Sequence, residues 1–395
     1  MSMHTTRIIL HRGEDRRIRE GHPWVFSNEI REVAGDDTPG VTAELFDAGG
    51  KFLGTGYYNR NSLIAFRVLS REREPIDSVE FFERRILRAL SFREKIYPGL
   101  QTFRAVYGES DFLPGLVVDR YGDYLSLQVL TAGMEMRRGL VLEALRRVFS
   151  PKGVLARNDV GVRRLEGLPE VVEVLWGEVP DTVEMEEHGL RFLVDLAGGQ
   201  KTGHFLDQKE NHLLLRGICD GGEVLDCFCY SGSWALHAAS FGASAVTGVD
   251  ISERAVSLAR KNAALNAMGE RVVFEKADAF DRLRTLRSEG RRFDVVVLDP
   301  PAFVKSRKQI REALSGYLTI NTRGMQLLKP GGTLITCSCS HHISIESFRN
   351  MLVSAARQAG RRMWLSEVRS QAPDHPVLLQ APETEYLKCF VLKAL

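Results

Sequence analysis

Val224-Leu-Asp226-Cys-Phe-Cys-Tyr-Ser-Gly232-Ser closes one short apolar run, Val246-Thr-Gly-Val-Asp250 closes the next, and a helical stretch, Ser233–Phe241, lies between them. Downstream the rhythm repeats. Val272–Lys276, Phe293–Leu298 and Thr333–Thr336 read as strands, and Ser252–Asn266, Phe280–Arg287, Arg311–Leu328 and Ile345–Gln358 as amphipathic helices. Short apolar strands alternating with helices predict a parallel, doubly wound α/β sheet over the C-terminal half. Ligands of such sheets sit beyond the C-terminal strand ends, near the point where strand order reverses. The residues at those ends therefore carry the functional reading.

The first end points to a nucleoside cofactor. Asp250, at the end of the second strand, suits a ribose diol, because an ionised carboxylate can accept from both hydroxyls. The first turn, however, holds one glycine, Gly232, rather than G-x-G-x-x-G, and Asp226 precedes it. A negative charge there repels a dinucleotide pyrophosphate and attracts an ammonium. S-adenosylmethionine is thus favoured over NAD. After the third strand, Ala277-Asp278-Ala279-Phe280 offers an acceptor for an adenine amino group and a ring to pack on its face. Asp278 also reads as a helix N-cap, and both can hold at once.

The next two ends point to chemistry. Val297-Leu-Asp299-Pro300-Pro-Ala-Phe303 puts two prolines, which lack N–H groups and cannot continue a ladder, directly after an acid. The D-P-P-aromatic pattern resembles the loop of methyltransferases that act on nitrogen of planar substrates; a plain turn is the bland alternative. Leu334-Ile-Thr-Cys337-Ser-Cys339-Ser-His341-His342 follows the Gly331-Gly332 turn and places two thiols at the fifth end. Free cysteines are usually small buried hydrophobes, which is the reading favoured for Cys337; Cys339 reads as a nucleophile. Cys227, Cys229, Cys337 and Cys339 together also offer four thiolates to zinc, but C-x-C departs from the usual spacing, and no metal is expected. His341 and His342 read as thiol partners or as surface-loop residues.

Composition bounds the rest. The 395 residues are 44% hydrophobic and 26% charged with a formal charge of +2, which excludes collagen-like, disordered and polyanion-coating classes. Of 53 basic residues, 41 are Arg, a bias that suits phosphate contacts but is better explained by GC-rich coding. Six Cys are too few for a disulfide scaffold. The absence of any long apolar run, and of a signal core in the first ten residues, where His4 and Arg7 stand, predicts a cytoplasmic protein without a membrane segment. Residues 1–72 read as a β-rich unit, with strands at Arg7–Leu10, Val41–Phe46, Phe52–Tyr58 and Leu63–Leu69 and a hairpin turn at Asp47-Ala-Gly-Gly50. Arg7, Arg12, Arg16, Arg17 and Arg19 make its start basic, either a solvated face or an RNA-docking edge. Residues 73–190 read as a central α+β module: helices Ile76–Lys95 and Gly133–Phe149, strands near 115–119, 124–130, 171–176 and 188–196. Residues 191–395 form the third part.

Taken together the motifs resemble bacterial 23S ribosomal RNA (cytosine-C5) methyltransferases that carry an N-terminal PUA domain. The resemblance runs through Gly21-His-Pro-Trp-Val-Phe-Ser27, Gly54-x-Gly-Tyr-Tyr58, Ile64-Ala-Phe-Arg67, Gly108-Glu-Ser-Asp-x-Leu-Pro-Gly-Leu116, Asp119-Arg120, Glu186-Glu-His-Gly189 and Gln200-Lys-Thr-Gly-His-Phe-Leu-Asp-Gln208. The family's first motif, D-x-F-x-Y-x-G, matches Asp226, Phe228, Tyr230 and Gly232. The resemblance implies a class I, Rossmann-like methyltransferase domain behind a PUA-like domain. It implies S-adenosylmethionine held by Lys201, Thr202, Phe205, Gln208, Asp226, Phe228, Tyr230, Gly232, Asp250, Ile251, Asp278, Ala279, Asp299 and Pro300. It further implies a Cys339 thiolate that adds to C6 of a flipped cytosine, so that C5 attacks the sulfonium methyl. A protonated Asp299 is expected to stabilise charge on the N3 and O2 side of the base; no residue is assigned to removal of the C5 proton. The family often has an aromatic at the position of Cys337, and no cysteine stands in the Asp299 loop, which leaves Cys339 as nucleophile.

Ribosomal RNA is the expected partner, and residues 281–312, with nine Lys or Arg against five Asp or Glu, are a candidate phosphate contact through Lys305, Arg307, Lys308 and Arg311. Three rival readings stay open: a guanine N-methyltransferase with a D-P-P loop and no nucleophilic cysteine, a non-catalytic RNA-binding assembly factor, and a dehydrogenase. The target nucleotide and the oligomeric state are not legible.

Overall fold

A computed structural model describes residues 5–303 and 310–395. The chain divides into two compact units, the first comprising the chain up to Met185 with Val194–His204 and Pro373–Thr384, the second Glu186–Leu193, Phe205–Ala372 and Glu385–Leu395. The expected segments 1–72 and 73–190 fall largely in the first.

The first unit opens with β1 (Thr6–Leu10), α1 (Arg16–Arg19), β2 (Trp24–Val25), β3 (Ile30–Ala34), β4 (Val41–Phe46), β5 (Phe52–Tyr58) and β6 (Phe66–Ser70), whose strands form a sheet of order β2-β6-β5-β4-β1-β3. Then come α2 (Val79–Ile96), β7 (Thr102–Tyr107), β8 (Leu116–Tyr121), β9 (Tyr124–Val129), α3 (Ala132–Met136), α4 (Arg138–Phe149), β10 (Gly153–Arg157) and β11 (Val172–Gly177), with a second sheet of order β11-β10-β9-β8-β7. Tyr57 and Leu69 of the first sheet belong to the core of the second, and the Tyr57 hydroxyl donates to the Pro114 carbonyl at 2.7 Å. The single helix expected over Gly133–Phe149 is two. Thr131 caps the first, and Arg137, 3% exposed, breaks the run at φ −101° while its guanidinium donates to the Gly133 and Gly40 carbonyls. Gly133 itself lies against the Tyr57 ring, where a Cβ would sit 2.0 Å away.

Charges that look like motif residues in the sequence build a buried network here. Arg93 is fully buried and grips Asp111 with two hydrogen bonds of 2.6 and 2.7 Å, while donating to the Arg104 and Asp374 carbonyls. Arg104 pairs with Asp119 at 2.5 and 2.9 Å, and the same carboxylate accepts from the Thr202 hydroxyl. Removing one member leaves an uncompensated buried charge. Arg93→Met is therefore expected to destabilise the protein by about 3–5 kcal/mol, read as a lowered midpoint in urea with an unchanged slope. A loss below about 1 kcal/mol would show that the network relaxes without cost.

β12 (Thr182–Glu187) and β13 (Leu190–Asp195) make a two-stranded ribbon, followed by the short α5 (Lys209–His212). The second unit then runs β14 (Glu223–Cys227), α6 (Ser233–Ser240), β15 (Ala245–Asp250), α7 (Glu253–Leu265), β16 (Val272–Lys276), α8 (Ala279–Ser288), β17 (Phe293–Leu298), α9 (Ile310–Gln326), β18 (Leu328–Ser338), α10 (Ile345–Ala359), β19 (Met363–Arg369) and β20 (Lys388–Ala394). Its seven strands lie in the order β16-β15-β14-β17-β18-β20-β19, with β20 antiparallel to both neighbours. The doubly wound α/β expectation holds. Val295 to Leu298 are fully buried, as a central strand covered on both faces must be. β18 starts earlier than the glycine pair suggests: it runs through Gly331-Gly332 by a register shift opposite Phe293–Val295. No helix among the described residues is long and apolar enough to cross a membrane.

Candidate active site

Strand order reverses at β14 and β17, which pair in parallel with Cys227 level with Leu298. The loops after both strands open at the same end of the sheet, where a crevice forms.

The loop after β14 is wound tightly. Phe228 and Tyr230 take φ of 67° and 47°, a left-handed conformation that costs about 1–3 kcal/mol at a non-glycine residue and clusters at ligand sites. Hydrogen bonds from Phe228 N to Val249 O (2.8 Å) and from Tyr230 N to Asp250 Oδ2 (3.0 Å) hold it there. Gly232, at φ 91°, has no alternative, since a Cβ would lie 2.7 Å from the Phe274 ring. Asp250 also accepts from Ser252 N at 2.9 Å, beside the exposed Ile251. Its oxygens retain lone pairs for a diol. Asp278 caps α8 by accepting from Asp281 N at 3.1 Å, so the capping role exists; Ala279 starts the helix, buried. Phe205 meets the Tyr230 ring edge-on at 5.2 Å. Lys201, at φ 51°, and the buried Thr202 belong to the first unit, where Thr202 serves Asp119.

Two carboxylates at this end of the sheet stand in different surroundings. Asp226 has no exposed surface; Ala235 N donates to its Oδ2 at 3.1 Å, and Oδ1 has no hydrogen-bond partner. Burial, then the neighbouring Asp299, pushes its pKa well above the usual carboxylate range. Burial thus disfavours the anion at Asp226. Asp299, half-buried before the buried Pro300, accepts at Oδ2 from Gln208 Nε2 (3.0 Å) and Trp234 Nε1 (3.1 Å). Two N–H donors at one oxygen favour the ionised form of a carboxylate. Trp234 was not legible as a site residue; in the sequence it is one apolar residue of a helix.

Near the end of β18, Cys337 pairs in register with Cys389, fully buried, its thiol pushed far up by that burial. Cys339 lies one step past the strand and is partly exposed. Facing it across the pairing is Lys388, 5% exposed, opposite Ser338 on β20. Its Nζ donates to the Ser340 and Ile343 carbonyls at 2.7 and 2.9 Å and so pins the loop that carries Cys339. Burial pushes the Lys388 pKa down to about 8, and the Cys339 sulfur, as an anion, opposes that shift. A lysine inside the apolar run Leu387–Leu392 is the signal that sequence reasoning passed over. The four-thiolate zinc reading fails: among the described residues the cysteines form no convergent metal-ligand group. His341 stacks on Tyr386 at 5.3 Å, and His342 is exposed.

Basic surface is also redistributed. Arg16, Arg17 and Arg19 are paired with Glu20, Glu29 and Asp47 at 2.6–2.9 Å, and Arg7 covers the Phe46 ring. Lys305, Arg307 and Lys308 lie outside the described residues; Arg311 is exposed at the start of α9. The first unit instead has a cavity of about 400 Å³ lined by Arg71, Arg84, Arg85 and Arg88 against Glu72 and Glu74.

Comparison with known proteins agrees with this geometry. Residues 8–71 match the PUA-like domain family and residues 155–387 the S-adenosylmethionine-dependent methyltransferase family. The chain is 40% identical over 392 residues to the ribosomal RNA large subunit methyltransferase I of Aeromonas hydrophila, covering 98% of this chain and 99% of that protein. With the protein of the same name from Vibrio cholerae it shares 43% over 397 residues, 99% and 100% covered. The fold superposes on a solved methyltransferase complexed with SAH, SMU.776, with a TM-score of 0.85 at 21% identity over 98% and 99% of the two chains. The chain uses S-adenosylmethionine, and it belongs to the ribosomal RNA large subunit methyltransferase I family of S-adenosylmethionine-dependent methyltransferases.

Proposed function

We propose that the protein transfers a methyl group from S-adenosylmethionine to C5 of a cytosine in large-subunit (23S) ribosomal RNA, through a Cys339 adduct at C6. The observation that carries this reading is the partly exposed Cys339 just past β18, on a loop pinned by the Lys388 ammonium, next to β17, which Asp299 directly follows. The thiolate bonds to C6 and pushes electron density to C5. C5 takes the sulfonium methyl and releases S-adenosylhomocysteine. Loss of the C5 proton to a base then breaks the C6–S bond and frees the thiolate. Asp299, ionised, accepts from the exocyclic amino group of the base or from the cofactor ammonium. Lys388 favours the thiolate by its charge. Lys201, Thr202, Phe205, Gln208, Phe228, Tyr230, Gly232, Asp250, Ile251, Asp278, Ala279 and Pro300 complete the cofactor contacts of this reading, and its setting is the cytoplasm.

The test is the identity of the product. Large-subunit RNA is incubated with methyl-labelled cofactor and digested to nucleosides. Label in 5-methylcytidine is expected; label in a methylguanosine would replace this reading with the N-methyltransferase one.

The arginine cavity of the first unit supports RNA binding, since guanidiniums suit phosphate. Arg84 and Arg88 are exposed. The double variant Arg84→Ala/Arg88→Ala is expected to weaken RNA binding and to reduce the slope of log affinity against log salt by about 1–2, while cofactor affinity stays unchanged. An unaltered slope would place the phosphate contacts elsewhere.

A further inference from the structure

We infer that Glu187, His212 and His237 in the second unit form a binding site for one borderline divalent cation, Zn²⁺ or Co²⁺ in character, apart from the methyl-transfer chemistry. Glu187 ends β12, His212 ends α5 and His237 lies within α6. Their ligand atoms all fall within 4.8 Å of one another, and the three residues are 5%, 1% and 0% exposed. His212 Nδ1 lies 2.6 Å from Glu187 Oε1, a distance that requires a shared proton. That pair alone reads as an ordinary buried hydrogen bond.

His237 does not fit so bland a reading. Its Nδ1 faces the Ser233 carbonyl at 2.8 Å and must carry the ring proton. Its Nε2 is therefore a bare lone pair, buried, without a hydrogen-bond partner, and its nearest anion is Glu187 Oε1 at 3.7 Å. Two acceptors face each other with no proton between them. A buried unsatisfied acceptor costs about 1–3 kcal/mol, and a cation placed between the two removes the conflict. The backbone bond at Nδ1 is also the arrangement that metal-ligating imidazoles use to fix tautomer and ring orientation. The His212 and His237 rings stack at 4.8 Å with 21° between planes, which keeps both nitrogens near the carboxylate.

Two imidazoles and one carboxylate suit Zn²⁺ or Co²⁺ rather than Mg²⁺ or Ca²⁺, which prefer oxygen. Tetrahedral bonds of about 2.0–2.1 Å separate donor atoms by roughly 3.3 Å. The 2.6 Å contact must open by about 0.7 Å, the 3.7 Å contact close by about 0.4 Å, and the two imidazole nitrogens, within 4.8 Å of each other, draw together, with water as fourth ligand. Binding expels the proton shared by His212 and Glu187.

The full-length protein, stripped with chelator and dialysed against Zn²⁺ or Co²⁺ alone, tests this by metal content and visible absorption. One equivalent is expected. The Co²⁺ form should show d–d bands without a thiolate charge-transfer band, which separates this site from the six cysteines. Uptake should release about one proton. His237→Phe should weaken affinity at least roughly 100-fold with its circular dichroism unchanged, and Glu187→Gln should weaken it independently. Absence of a retained equivalent in wild type, thiolate bands in the Co²⁺ form, or full retention in a folded His237→Phe would overturn the assignment.

Discussion

Cys339→Ala is expected to lower methyl transfer by about 10³-fold or more, the scale on which removal of a covalent nucleophile acts, with cofactor affinity unchanged. The argument is local. Cys339 is one of six cysteines, and the other five are buried: Cys337 lies in the β18–β20 pairing, and Cys227 and Cys229 are raised in pKa by burial. A buried neutral thiol is inert. Only Cys339 combines partial exposure with a neighbouring cation. Lys388→Met provides the discriminating arm: the acidic limb of the pH–rate profile should move to higher pH and iodoacetamide capture of Cys339 should slow, while KM for the cofactor is unchanged. Full activity in Cys339→Ala would remove the covalent mechanism and favour direct transfer to nitrogen at the Asp299 loop.

The parts of this design that follow period and strand ends are legible in the sequence. The alternation from Glu223 onward gives β14 to β18 and α6 to α10 within a few residues, because parallel strands covered on both faces must be apolar throughout. Residues after β14, β15, β16 and β17 are brought to one end of the sheet for the same reason. What escapes is set by long-range contact. β19 and β20 are not read because Trp364, Leu365 and Glu367 alternate poorly, and β20 is defined by pairing with β18 across some fifty residues of chain. Trp234 becomes a partner of Asp299 only through packing, and Lys388 becomes a clamp only opposite Ser338. The different surroundings of Asp226 and Asp299 are invisible for a deeper reason: two identical side chains differ only in burial and in the donors aimed at them. The basic N-terminal stretch hides its ion-pair partners in the same way, since Glu29 stands just before β3 and Asp47 in the turn after β4.

Those surroundings favour a neutral Asp226 and an ionised Asp299, and that order has large expected consequences. Asp226, with its folded-state pKa raised above the ordinary value of about 3.9, contributes its full stability only below that value and loses it as pH rises toward the folded pKa. At neutral pH the buried acid is a liability. Asp226→Asn keeps an oxygen for the Ala235 N–H and removes the titration. The variant should gain thermal stability relative to wild type, by an amount that grows between about pH 4 and 7, and should bind cofactor within about threefold of wild type. Asp299→Asn should do the reverse. It keeps an acceptor for Gln208 and Trp234 but deletes the one charge the pair retains. Methyl transfer should fall roughly 10²–10³-fold, as for loss of a preorganised polar group, and cofactor affinity about tenfold, because the ammonium loses a charge-assisted partner. Measured together, the two variants assign the anion. If Asp226→Asn loses the cofactor while Asp299→Asn holds it, the proton sits on Asp299 after all, and the donor role at N3 and O2 returns with it.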